Sequence, residues 1–293
     1  MPSAALAVKA AQPRLQHKMH TGAAFKAIAT CCLAHMAANG EGVVAGDGES
    51  VHQMRVGLRR FKSACRLFRR QAPMPDGYAE ELAWLAGALG PARDWDVLAN
   101  STLPAVASHA PDQRSRSALA SLQQRAMETA RQKRDGAAAA VASARFSDLI
   151  EALEEWTGQL AAGAGAVPVS VFARDALARD RKRLAKRARH LSHADPPTRH
   201  RLRIAAKKSR YDAEFFLSLH NTRSQRRYLR GLAALQDVLG GLNDANVAAA
   251  LLADLGDAPA MALGLGFVQG YLSAGQEEGV RRAGRLWRKL ERI

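Results

Sequence analysis

Residues 51–70 read VHQMRVGLRRFKSACRLFRR, and the reading of this stretch decides the fold. On a helical wheel at about 100° per residue, His52, Arg55, Arg59, Lys62, Arg66 and Arg69 fall within an arc of roughly 100°. Val51, Met54, Leu58, Phe61, Cys65 and Phe68 occupy a similar arc of their own. The spacing predicts a helix with one apolar face and one purely cationic face, carrying seven Lys or Arg and no acid. Cations at i,i+3 and i,i+4 repel one another, and solvated helices relieve this by interleaving Glu with Lys. No acid is interleaved here, so an anionic partner is expected along the face.

The pattern recurs half a chain later. RHRLRIAAKKSRYDAEFF, residues 199–216, puts His200, Arg203, Lys207 and Arg210 in the phase of His52, Arg55, Arg59 and Lys62, and Lys208 matches Arg60. Downstream, LAWLAGALGPARDWDV (82–97) aligns with LAALQDVLGGLNDANV (232–247), pairing Leu89–Gly90 with Leu239–Gly240, Asp94 with Asp244 and Val97 with Val247. The first block repeats after 148 residues and the second after 150. Two matched blocks in the same order indicate an internal duplication.

The motifs H-x-x-R-x-x-x-R-R-x-K from His52 and H-x-x-R-x-x-x-K-K-x-R-Y from His200, each followed by L-G-x-x-[RN]-D-x-[DN]-V, resemble those of the CHAD family, named for its histidine-containing α-helical domain. The resemblance spans roughly residues 17–290. It implies an all-α fold of two pseudo-symmetric antiparallel helical bundles from an internal duplication, with inorganic polyphosphate bound on the basic helices. The polyphosphate-binding candidates are His52, Arg55, Arg59, Arg60, Lys62 and Arg66 in the first motif, and His200, Arg203, Lys207, Lys208 and Arg210 in the second. Two departures stand out. Asn243 replaces the Arg of the Arg93 position, and Gly57 sits where Ala is usual, at a helix-propensity cost of about 1 kcal/mol.

Composition agrees with helices. Ala and Leu supply much of a 47% hydrophobic content, aromatics are 5%, and nothing alternates with the two-residue period of strands. A formal net charge of +16 implies an anionic partner or surface. Three cysteines give no disulfide framework, which fits a reducing, cytoplasmic compartment. No apolar run is read as long enough to span a membrane, so no membrane association is expected.

In chain order, residues 1–16 are expected as a disordered arm, 17–162 as an N-terminal helical half and 168–293 as a C-terminal half, joined by the linker AAGAGAVP (161–168). Glu49 or Ser50 is expected to start the basic helix, Gly90–Pro91 to break the next one, and Gly240–Gly241 to separate helices near 223–239 and 243–255. Asp195–Pro196–Pro197 should start the second motif helix. Between Arg174 and Arg210 there are 14 Lys or Arg against 3 Asp. Arg179, Lys182, Lys186 and Arg189 in that segment follow helical spacing and are candidates for a second basic wall.

The chemistry of the stripes suits phosphate. Arg offers a planar fork for two oxygens, and Lys a compact charge that adapts to a flexible chain. Single-stranded nucleic acid usually needs aromatic platforms, and the cationic faces carry none, so RNA or DNA is the disfavoured alternative. His52 and His200 are read as donors to phosphate, or as groups that cap and pack at the helix starts. As phosphate donors they would strengthen binding as pH falls through the histidine range. His17, His20, His190 and His193 invite a metal, but their neighbourhoods are cationic. No resident metal or other cofactor is expected, and divalent cations would arrive only as polyphosphate counterions. Asp94 and Asp244 either orient basic side chains or cap helices after the glycine breaks. No P-loop, H-E-x-x-H or G-x-S-x-G motif is present, and no ExExK element like that of the triphosphatase domains fused to some CHAD relatives. A binding module is therefore expected, not an enzyme.

Overall fold

The computed structural model describes residues 7–160, 167–189, 191, 194–219, 221–255 and 261–293, and no strand occurs among them. The linker at 161–166, His190, His193, and residues 1–6 of the N-terminal arm lie outside the described residues. The helices run α1 Thr21–Ala37, α2 Gly40–Val44, α3 Gly48–Leu67, α4 Tyr78–Val97, a π-helical turn Leu98–Thr102 and α5 Leu103–Ala107. They continue with α6 Gln113–Val141, α7 Ala144–Gln159, α8 Val169–Ala188, α9 Pro196–Phe215, α10 Arg223–Asp254 and α11 Ala262–Glu291. The motif helices meet across the chain, α3 against α9 and α4 against α10.

Several boundaries differ from expectation. Asp47, not Ser50 or Glu49, caps α3: its carboxylate accepts from Ser50 N at 2.8 Å and Glu49 N at 3.3 Å. Gly90–Pro91 does not end α4, and Gly240–Gly241 does not divide α10. Both lie within helices whose neighbouring turns are packed against α6 or α11, and tertiary packing overrides the local preference of Gly and Pro. Asp195 caps α9 through Thr198 N at 2.9 Å. Residues 7–16, expected to be disordered, lie against the body. Val8 N donates to Asn39 Oδ1 at 3.0 Å, and Leu15, itself buried, donates its N–H to Ser218 Oγ at 3.0 Å. Thr21–Val44 does have the length and apolarity to cross a membrane, contrary to the reading above, but over half of that window is buried against the other helices of the protein.

Among the described residues the apolar side chains gather in three clusters, and the two sequence halves share two of them. The largest joins α1, α3, α4 and α7 to the start of α8 and the end of α9. Phe68 is its hub, with ring centroids 5.5 Å from Phe25, 4.8 Å from Phe172 and 6.3 Å from Phe216. A second cluster lies within α8–α11, and a third mixes the α4–α6 region with α10 and α11. The division near residue 165 is therefore not a division between cores. Interlocking of this kind buries α3 on nearly all sides, Gly57, Arg60, Ser63 and Ala64 included. The basic stripe occupies the arc that remains. Gly57 follows from the same crowding: a Cβ there would lie 2.8 Å from Met36 Cγ and 3.4 Å from the Cys32 carbonyl oxygen.

Candidate functional site

The crossing of α3 and α9 sorts the predicted cations into groups. Arg55 and Arg59 on α3 come together with Arg203 and Lys207 on α9, and the charges of Arg59, Arg203 and Arg55 all act on the Lys207 ammonium. Burial and those cations push Lys207 down to about 7. The Arg55 and Arg203 guanidinia are lowered as well, first by burial. The Nε atoms of Arg55, Arg59 and Arg203 are buried without an acceptor. Like charges are thus held together in a partly dehydrated seam with few acids to balance them.

Those acids are the motif aspartates. Asp94 Oδ1 lies 3.8 Å from Arg55 Nη2, and its charge also reaches Arg203, as does that of Asp244. Since α4 and α10 continue unbroken through the glycines, neither aspartate caps a helix start: Asp94 lies in the last turn of α4 and Asp244 inside α10, and both suit orientation of the arginines. Asp94, Val97, Asp244 and Val247 line one small cavity where α4 meets α10. The Leu-Gly element has a physical reason in the first motif: a Cβ on Gly90 would lie 3.0 Å from Arg55 Nη1. Gly240 has nothing within 4 Å of the corresponding position, so the two motifs are not equivalent there.

The histidines differ too. Burial and then Arg93 depress His52 to about 4, so it is neutral at physiological pH. The expected titration of His52 through the ordinary histidine range therefore does not hold for the free protein. His200 is exposed, and its Nδ1 lies 2.8 Å from Asn243 Oδ1. Arg93 and Asn243 are the aligned pair of the repeated element, so a cation beside one histidine is replaced by a neutral amide beside the other. Arg93 was not among the candidates, although the repeat marked its position. It pairs with Asp96 at 3.1 Å, and Arg134 pairs with the same carboxylate at 3.2 Å.

Three predicted binding residues are instead tied to acids. Arg60 is buried and pairs with Glu214 at 2.6 Å, its guanidinium 5.1 Å from the centroid of the Phe215 ring. Arg210 pairs with the same glutamate at 2.7 Å. Arg66 is held by Asp212, which is fully buried and also accepts from Ser63 Oγ at 3.0 Å. The Arg60–Glu214 and Arg66–Asp212 pairs tie α3 to α9, and the Arg210–Glu214 pair lies within α9. Lys62 is exposed with no ion pair among the described residues, and Lys208 turns toward α8. On α8 the four wall candidates are all exposed. Arg179 lines a cleft together with Arg183, whereas Lys182, Lys186 and Arg189 are exposed and line none of the cavities described here. The helical phase that faces α9 runs through Arg183 and Arg187.

Comparison with known proteins comes to the same motifs. The CHAD domain family matches residues 27–253. The fold is similar to the crystal structure of the CHAD domain from the plant Ricinus communis, at 36% identity and a TM-score of 0.82 over 94% of this chain and 96% of that one. It is also similar to PptA from Streptomyces chartreusis, at 18% identity and a TM-score of 0.70 over 94% of this chain and all of that one. No curated protein sequence matches.

Proposed function

The chain belongs to the CHAD family, a family associated with polyphosphate, and from that premise we propose that it binds inorganic polyphosphate along the seam between α3 and α9. The observation that carries this reading is the convergence of Arg55, Arg59, Arg203 and Lys207 with buried, unsatisfied donors and a depressed lysine. Such an arrangement costs folding stability unless an anion restores the charge balance. Phosphate also matches the donors: forked guanidinia and one adaptable ammonium. The aromatic rings of the two helices, Phe61, Phe68, Tyr211, Phe215 and Phe216, are all buried, which leaves bases nothing to stack on.

Long polyphosphate, short polyphosphate, RNA and duplex DNA, titrated in competition at fixed ionic strength, should rank with long polyphosphate first. Equal or tighter binding of nucleic acid would overturn the choice of partner. The proposed role is binding without catalysis, with no resident cofactor, in a cytoplasmic setting where the protein is targeted to polyphosphate granules or organises them. Incubation with polyphosphate should release no orthophosphate in a colorimetric assay.

Lys207 supplies the pH dependence. Its value is lowered to about 7 in the free protein, and an anion in the seam raises it back toward its ordinary 10.5. Between those limits binding takes up a proton. Affinity should therefore rise as pH falls from about 10 to about 7 and gain nothing further from Lys207 below that. Lys207→Arg keeps the charge and should flatten the profile in this window while retaining binding. A profile unchanged by that substitution would remove Lys207 from the contact.

A further inference from the structure

The seam leaves a second set of cations unused. Two adjoining clefts, of about 350 and about 220 Å³, open between the C-terminal end of α3, α8 and α9. They share Arg66, Asp180 and Arg183, and neither is lined by His52, Arg55, Arg59, Arg203 or Lys207. Arg70 and Arg179 border the larger cleft, Arg187 and Lys208 the smaller. Arg70, Arg179 and Lys208 have no acid within ion-pair distance among the described residues.

Two acids, Asp175 and Asp180, line the clefts, and each lies near an arginine, although the buried Asp180 Oδ2 has no hydrogen-bond partner among the described residues. Asp175 lies 3.3 Å from Arg174, Asp180 lies 3.6 Å from Arg183, and the buried Asp212 beneath them is held by Arg66 and Ser63. Burial and then the neighbouring Asp180 carboxyl push the Asp212 carboxyl well above the usual range. Burial and then Arg66 and Arg187 lower Lys208.

The cations of a solvated helix face outward, as Lys182 and Lys186 do on α8. Those of the clefts, Arg66 apart, are exposed as well, but they border concave spaces: the end of α3, residues 69–71 and α8 surround the larger, with Phe172 and Leu67 in its apolar wall, and α3, α8 and α9 surround the smaller. That geometry differs from the seam, where the charges follow two helices in line and suit a linear polymer. Convergent charge around volumes of small-ligand size suits a compact anion, whose oxygens can be reached from several sides at once. We propose that the α3–α8–α9 cleft is a second anion site, separate from the seam, that takes a compact anion bearing two or three phosphate groups. The inference does not rest on the polyphosphate reading of the seam.

The test titrates tripolyphosphate into the full chain carrying Arg55→Ala, Arg59→Ala and Arg203→Ala. One-to-one binding should persist in this variant. Adding Arg179→Ala and Lys208→Ala should lower that affinity about tenfold or more, since each removes a charge-assisted contact. Neither side chain holds an ion pair, so the fold should survive, with the thermal midpoint as the check. The proposal is overturned if the seam variant no longer binds tripolyphosphate or is insensitive to Arg179→Ala and Lys208→Ala. It also falls if that variant binds the long chain more than about tenfold tighter than tripolyphosphate, because the cleft would then be an extension of the polymer site. Failure of the seam reading is a different result: unaltered long-chain affinity in the seam variant.

Discussion

Replacing Arg55, Arg59 and Arg203 together by Ala should weaken polyphosphate binding by about a thousandfold or more. A hydrogen bond to a charged group contributes roughly 1.5–3 kcal/mol, and each 1.4 kcal/mol is tenfold in affinity. Three arginines placed in one seam, with Nε atoms that find no acceptor among the described residues, are the groups for which that full contribution is expected. The salt dependence supplies a second readout. The slope of log affinity against log salt should become shallower by roughly 0.7–0.9 for each lost contact, if nucleic-acid behaviour transfers to this polymer. Arg114, Arg116 and Arg125 carry the same formal charge on the exposed side of α6, and their joint replacement should change affinity only slightly, through the general field. If both triple variants behave alike, binding follows bulk charge and the seam is not a site. The seam variant should be no less stable than the parent, because it removes mutually repelling cations and leaves only the half-exposed Asp94 without its partner.

The opposite balance is expected at the strut beside the seam. Glu214→Ala should cost about 3–5 kcal/mol, because it leaves the buried Arg60 cation without its acid. On a chain of this size the thermal midpoint should fall by on the order of 10 °C. Arg60→Met should cost markedly less: the charge is gone, the volume is roughly kept, and Glu214 retains Arg210 at 2.7 Å. Thermal or urea unfolding of the two variants measures the difference directly. Equal destabilisation would mean that packing around Arg60, with its contact to the Phe215 ring, matters more than the buried pair.

The stability of the free protein should carry a matching pH signature. Lys207 is depressed when folded, so between about pH 7 and its unfolded value near 10.5 the unfolded chain binds more protons. Folding stability from this group therefore rises with pH across that window, while polyphosphate affinity falls. The two trends have one cause: the ammonium whose charge attracts the ligand is repelled by Arg59 and Arg203 in its absence.

Much of this was legible in the residues because it depends on local period. The 3.6-residue spacing marks Arg55 and Arg59, and the recurrence marks Arg203 and Lys207 in the same phase. The cap at Asp195 follows from side-chain chemistry within one turn. The continuity of α4 through Gly90–Pro91 was not legible, since it depends on partners elsewhere in the chain. Nor were the cross-helix ion pairs of Arg60 and Arg66, although Asp212 and Glu214 stand in the second motif itself. Their proximity to α3 arises only when residues about 150 positions apart are brought together.

The amino-acid sequence by itself determined the helical class, the duplicated motif and the phase of its cations, because amphipathic period and side-chain charge are properties of the chain alone. Tertiary structure decided which of those cations stand free. Arg60 and Arg55 are five residues apart on one helix, yet one is neutralised by Glu214 and the other faces like charges with only a 3.8 Å approach to Asp94. Electrostatic environment falls off over a few ångströms and is set by whatever the fold places within that distance.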